Sequence, residues 1–228
     1  MKLAKHDSPY TEEFVERLAR QACATGQASF PIDVEKTALL VIDMQVEFVQ
    51  PGLSPGWVPA ATEIIPRVAA ILNAARQAER PVIHTAFAAT HLGYDRPAPG
   101  AFMPNRYPGY SSPAHRAEPR FVEDLQPAEN EIVLLKPSYG AFYDTPLDTI
   151  LHNLGCDTLV ITGTLTNLCC GMTARQAYER GYKVLFAADA TATTLPELQE
   201  AELQTLRYGF ARIMNAQEIV CMFAERYA

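Results

Sequence analysis

The amino-acid sequence predicts an α/β protein: a three-layer α/β/α arrangement around a doubly wound, mainly parallel six-stranded sheet. Short apolar runs near 38–43, 81–86, 132–136, 158–162, 183–187 and 211–214 alternate with stretches of helical periodicity. That order builds parallel sheets with helices on both faces. The first run, Ala38-Leu39-Leu40-Val41-Ile42, is apolar without a break, as expected of a central strand covered on both sides. A chain of 228 residues, 48% of them hydrophobic, can bury one large core.

The elements follow in order. Residues 10–24 read as an amphipathic helix with Phe14, Val15, Leu18 and Ala22 on one side. Thr11 or Ser8 can cap it, and Gly26 ends it. It belongs to an N-terminal helical extension over 1–35 that is free to pack on a neighbour, ahead of a main domain over 36–228. After strand 38–43 a Pro/Gly loop (51–56) leads to a helix over 60–79, with Ile64, Val68, Ile71, Leu72 and Ala75 facing inward. Strand 81–86 precedes a stretch, 88–128, with seven prolines and no clear period. A segment that long and irregular is usually functional or mobile. Then come strand 132–136, helix 146–154, strand 158–162, helix 167–180, strand 183–187, helix 196–209, strand 211–214 and helix 216–226.

Composition narrows the function. A formal net charge of −7 argues against nucleic acid or an anionic membrane as partner. No run of eighteen apolar residues is present, and Met1 to Asp7 lack the apolar core of a signal peptide. Five irregularly spaced cysteines fit a reducing cytoplasm better than a disulfide framework. Charged residues at 20% are sparse enough to favour an oligomer.

The chemistry concentrates at strand ends. Thr158 to Thr162 reads as a buried strand, followed by the turn Gly163-Thr164-Leu165 and a helix start carrying Cys169. A thiol in a first helical turn is favoured as thiolate, its nucleophilic form. Asp43 and Lys136 end two other strands. In a parallel sheet these three ends share one edge, where ligands bind. Each residue also has an ordinary reading: Asp43 as a turn cap, Lys136 as a surface lysine, Cys169 as a small buried hydrophobe. The combination favours an enzyme.

Three motifs, in order, make the chain resemble the isochorismatase-like cysteine hydrolases, a family that includes N-carbamoylsarcosine amidase, ureidoacrylate amidohydrolase, biuret hydrolase and nicotinamidase. They are Val41-Ile42-Asp43-Met44-Gln45 with Phe48; Lys136-Pro137 with Phe142 and Thr145-Pro146-Leu147-Asp148; and Gly163 to Ala177. The resemblance covers about residues 36–225. It implies a Rossmann-like hydrolase domain and a catalytic triad of Asp43, Lys136 and Cys169. It further implies a cis peptide between Thr164 and Leu165, an oxyanion site made by the backbone N–H groups of Leu165 and Cys169, and a homodimer or homotetramer. Gly140 departs from the pattern, standing where many relatives carry serine. Cys170 stands where many have valine, and reads as an inert core thiol.

Gln45, Phe48, Tyr139, Phe142 and Tyr143 flank the triad positions and are candidates to wall a substrate pocket. Trp57 and Tyr94 are weaker ones. Arg96, Arg106, Arg116 and Arg120 offer a clamp for a substrate carboxylate, although each also reads as a solvated arginine. His84, His91 and His115 read as structural or exposed. The nicotinamidase branch carries Asp-x-His and further histidines after the second strand, whereas here that region reads His84-Thr85-Ala86-Phe87-Ala88-Ala89-Thr90-His91. The expectation is therefore an enzyme with no metal and no cofactor that hydrolyses a small amide, ureido or carbamoyl compound through a Cys169 thioester and releases ammonia. Two alternatives stay open: vinyl-ether hydrolysis with Asp43 as the acid, and a non-catalytic binding protein on the same fold.

Overall fold

The computed structural model describes residues 10–88 and 119–225. Strand β1 (Thr37–Ile42) is buried along its whole length. Its side chains alternate between two cores: Leu39 and Val41 belong to one, and Ala38, Leu40 and Ile42 to the other. Each such side chain contributes on the order of 1.5–3 kcal/mol by leaving water. Strands β2 (Val82–Phe87), β3 (Ile132–Lys136), β4 (Thr158–Thr164), β5 (Lys183–Ala192) and β6 (Arg212–Met214) complete one sheet in the order β3-β2-β1-β4-β5-β6. Every pairing between these strands is parallel. The chain runs outward from β1 in one direction through β2 and β3, and in the other through β4 to β6. The crevice beyond Ile42 and Thr164 is therefore the switch point of the sheet, where such folds bind ligands.

Helices cover both faces. Helix α1 (Glu12–Thr25) is followed by two short ones, α2 (Val46–Val49) and α3 (Pro59–Glu63). Helix α4 (Ile65–Gln77) buries Val68, Ile71, Leu72 and Ala75 on the first face. Helices α5 (Leu147–Asn153), α6 (Gly171–Glu179) and α7 (Pro196–Gly209) supply residues to the core of the second face. Helix α8 (Ala216–Ala224) returns to the first and packs on α4. It starts with a capping box in which Asn215 and Glu218 satisfy each other's backbone amides. No helix among the described residues is long and apolar enough to cross a membrane.

The sequence expectation fails in three places. The helix over 60–79 is two helices, because Pro66 has no N–H and begins a new one at Ile65. The helix over 167–180 opens with a π-turn, Thr166–Cys170, before α6 begins. Strand β5 continues to Ala192 instead of ending at 187. A bulge carries it: Ile161 pairs with Phe186, but Gly163 pairs with Thr191. Gln199 Nε2 donates to Ala188 O at 3.1 Å and Thr191 O at 3.2 Å, occupying carbonyls at the bulge.

Helix α1 starts at the Thr11 cap, whose Oγ1 accepts from Phe14 N, and ends at Gly26. It packs on α7 of its own chain. Arg207 donates to Cys23 O, Gln27 to Ile213 O, and Arg212 to Ala28 O and Phe30 O. Val15 and Leu18, on the apolar side of this helix, are about half exposed.

Candidate active site

Asp43 follows β1 directly and takes a left-handed backbone conformation, φ +48°. Such geometry is uncommon outside glycine and is characteristic of functional turns. Its amide donates to Thr85 O and to Thr85 Oγ1, both at 3.2 Å. The Thr85 hydroxyl in turn donates to Asp43 Oδ1 at 2.6 Å. Lys136 Nζ lies 2.7 Å from the other oxygen, Oδ2, in an ion pair whose angle makes it less than a directed hydrogen bond. Both residues are almost completely buried, and Lys136 is among the largest fully buried side chains. The ammonium also donates to Ser138 O at 2.9 Å and sits 5.2 Å from the Phe87 ring centroid. Ala88 N donates to Lys136 O, tying the end of β2 to the end of β3.

Cys169 lies in the π-turn after β4, and its sulfur interacts with both the Asp43 carboxylate and the Lys136 ammonium. The three residues expected to act together therefore do meet. Two further features shape the turn. The peptide bond between Thr164 and Leu165 is cis. At Gly163, φ is +109°, and a Cβ would stand 2.0 Å from Ile42 O, so only glycine lets β1 and β4 approach this closely.

Burial and Lys136 act in opposite directions on the thiolate expected of a helix start. Burial pushes the Cys169 thiol up to about 12; Lys136 pulls it down, and the Asp43 carboxylate pushes it up again. The cause of that upward push is position: Cys169 is 5% exposed and precedes the α-helix instead of sitting in its first turn. Burial also works against the Lys136 ammonium, but the charges of Asp43 and Cys169 outweigh it and raise its pKa. Cys170 is fully buried, with its sulfur 3.9 Å from Thr162 O; burial holds its thiol well above the usual range.

The pocket candidates divide. Gln45 is buried, accepts from Phe87 N at 2.8 Å and bridges to Phe121, so it is a brace between the ends of β1 and β2. Phe48 packs on Phe87. Tyr139 is half-buried against the second core, and Tyr143 is exposed. Phe142 is buried 5.7 Å from the Tyr182 ring, with Arg180 over its face at 4.9 Å; both partners follow the end of α6. The loop after Lys136 runs along α6. Ala141 N donates to Thr173 Oγ1, and Phe142 N to Gln176 Oε1.

Trp57 donates to Thr62 Oγ1 and steadies the 51–58 loop. Arg120 pairs with Glu47 at 3.3 Å. His84 is fully buried and bonds Glu131, which Arg76 also grips. Tyr94, Arg96, Arg106, Arg116, His91 and His115 lie outside the described residues. Among the described residues, no three His, Cys, Asp or Glu side chains gather where they could hold a metal ion.

Sequence reading missed Thr85, Ser138, Thr173 and Gln176. Thr85 left a signal, a hydroxyl inside a buried strand. Ser138 acts through its carbonyl and left none.

The family model for the isochorismatase domain matches residues 37–218. The chain is 33% identical over 205 residues to ureidoacrylate amidohydrolase RutB of Methylorubrum extorquens, covering 80% of this chain and 81% of that one. It is 31% identical over 185 residues to nicotinamidase 3 of Arabidopsis thaliana, covering 80% and 86%. The crystal structure of a cysteine hydrolase from Pseudomonas syringae superposes with a TM-score of 0.80 at 28% identity, over 90% of this chain and all of that one. The chain belongs to the isochorismatase family of hydrolases.

Proposed function

We propose that this hydrolase is a cysteine amidohydrolase that cleaves a small amide, ureido or carbamoyl C–N bond through a Cys169 thioester, without a metal, and releases ammonia. The observation that carries the reading is the meeting of Asp43, Lys136 and Cys169 in one buried cluster. The thiol faces a carboxylate that can take its proton, and a fixed ammonium can balance the charge that develops. Proton transfer accompanies attack, because burial disfavours a free thiolate.

Cys169 Sγ bonds to the carbonyl carbon as its proton passes to Asp43, and the C=O electrons move onto oxygen. The backbone N–H groups of Leu165 and Cys169 are assigned to that oxyanion; Leu165 O is already occupied by the amides of Leu168 and Cys170. Donors of this kind lower the barrier by roughly 3–4 kcal/mol each. Asp43 returns the proton to nitrogen, the C–N bond breaks and ammonia leaves. Water then attacks the thioester, giving up a proton to Asp43, and the acid departs with the sulfur reprotonated.

The test is an ammonia-release screen over ureides, carbamoyl amino acids, simple carboxamides and nicotinamide, with Cys169→Ala as control. The variant should fold and lose turnover. Turnover retained in Cys169→Ala would overturn the reading. Nicotinamide as the preferred substrate, with activity lost to a chelator, would overturn its metal-free form.

A further inference from the structure

Thr173 joins the two halves of the site. Its hydroxyl donates to the carbonyl of Cys169 at 2.7 Å and accepts the amide of Ala141 at 3.0 Å. Both Thr173 and Ala141 are completely buried. The Cys169 carbonyl belongs to the π-turn that presents the nucleophile. Ala141 belongs to the loop that leaves Lys136, whose near end is pinned by the ammonium itself through Ser138 O. One side-chain oxygen therefore spans from the turn carrying the sulfur to the loop carrying the cation. A residue with no hydroxyl would leave the Ala141 amide without this acceptor in the interior, where water cannot replace it readily.

We propose that Thr173 is a positioning residue: its hydroxyl sets the distance between the Cys169 sulfur and the Lys136 ammonium by clamping their two segments together. The inference rests on the amidohydrolase reading for its catalytic consequence, but not for its structural one. A Ser–His contact or a metal can activate a nucleophile directly. Here the pairing of thiol and ammonium depends on segments held 33 residues apart in sequence (136 and 169), and Thr173 bridges them in one step. Gln176, one turn further along α6, reinforces the same dock by accepting from Phe142 N at 3.2 Å.

The test compares Thr173→Val, which keeps the shape and removes both bonds, with Thr173→Ser, which keeps the hydroxyl. The first readout needs no substrate: the rate at which Cys169 is alkylated by iodoacetamide at pH 9, with Cys169→Ala as background. Because the ammonium favours the thiolate, moving the loop away should slow Thr173→Val at least about fivefold. Thr173→Ser should alkylate like the parent. The second readout is ammonia release on a substrate found by the screen: kcat should fall about tenfold or more in Thr173→Val with KM nearly unchanged, and Thr173→Ser should restore it.

Unchanged or faster alkylation of folded Thr173→Val would overturn the proposal. So would a folded Thr173→Ser variant that alkylates at least about fivefold more slowly than the parent, and this comparison with the parent still decides if the valine variant fails to fold. If Cys169→Ala retains turnover, the amidohydrolase reading falls, while the alkylation series still judges Thr173.

Discussion

Thr85 Oγ1 donates to Asp43 Oδ1 at 2.6 Å while Lys136 holds Oδ2 at 2.7 Å, so each carboxylate oxygen has its own partner. The lysine supplies charge and the threonine supplies orientation. Thr85→Val removes a hydrogen bond to a charged group, worth about 1.5–3 kcal/mol. We expect kcat to fall roughly 10- to 100-fold, with Thr85→Ser close to the parent. Steady-state ammonia release on the two variants checks this.

Lys136→Met replaces a buried cation by an apolar chain of similar length and leaves Asp43 without its ion-pair partner. Breaking a buried pair from one side costs about 3–5 kcal/mol. Lys136 is also the influence that pulls the Cys169 thiol down, so its loss should raise that thiol further. Thermal melting should show the destabilisation, and iodoacetamide labelling of Cys169 should slow. Labelling at the parental rate would contradict the electrostatic role.

Acid should destabilise the fold through a cluster away from the site. Burial opposes the charge on Glu131, but Arg76, the Ala128 amide and His84 hold its carboxyl down at about 2. A folded value below the ordinary 4.5 means its stabilisation is complete above that pH and is lost as pH falls toward 2. The loss amounts to roughly 3 kcal/mol. His84 acts in the same sense. Burial lowers its pKa below the ordinary 6.5, so the folded state resists protonation and stability begins to fall below that value. Urea titrations from pH 8 to pH 3 should show this decline. Glu131→Gln should be less stable at pH 7 and show a shallower acid limb.

Gly140 and Gln176 form a complementary pair. A Cβ at Gly140 would stand 2.1 Å from Gln176 Oε1. Gly140→Ser must therefore displace the amide that accepts from Phe142 N. It should destabilise by about 1–3 kcal/mol. Adding Gln176→Ala should relieve much of that loss, so a double-mutant cycle should return a clearly favourable coupling.

Much of the architecture was legible in the sequence. Uninterrupted apolar runs such as Leu39-Leu40-Val41 can be satisfied only between two helical layers, so the strands fell where expected, apart from the extension of β5 past its bulge. Asp43 and Lys136 were readable because a parallel sheet gathers its strand ends on one edge. The burial of Cys169 was not, because no local pattern encodes it. Pro66 was visible, but the inward-facing apolar positions continue across the break and hid it.

Among the described residues, strand β3 sits at the edge of the sheet, pairs only with β2, and leaves Val133 and Leu135 nearly half exposed. Lys136 is its last residue. The cation of the site thus hangs from an edge strand, and such strands open locally at a fraction of the global unfolding free energy. Each fraying event would carry the ammonium into water and leave Asp43 and Cys169 behind in an otherwise intact molecule. Competence and foldedness should therefore part company. On titration with denaturant, turnover should vanish before the far-ultraviolet circular dichroism changes, and the amides of β3 should exchange with deuterium sooner than those of β1 and β4.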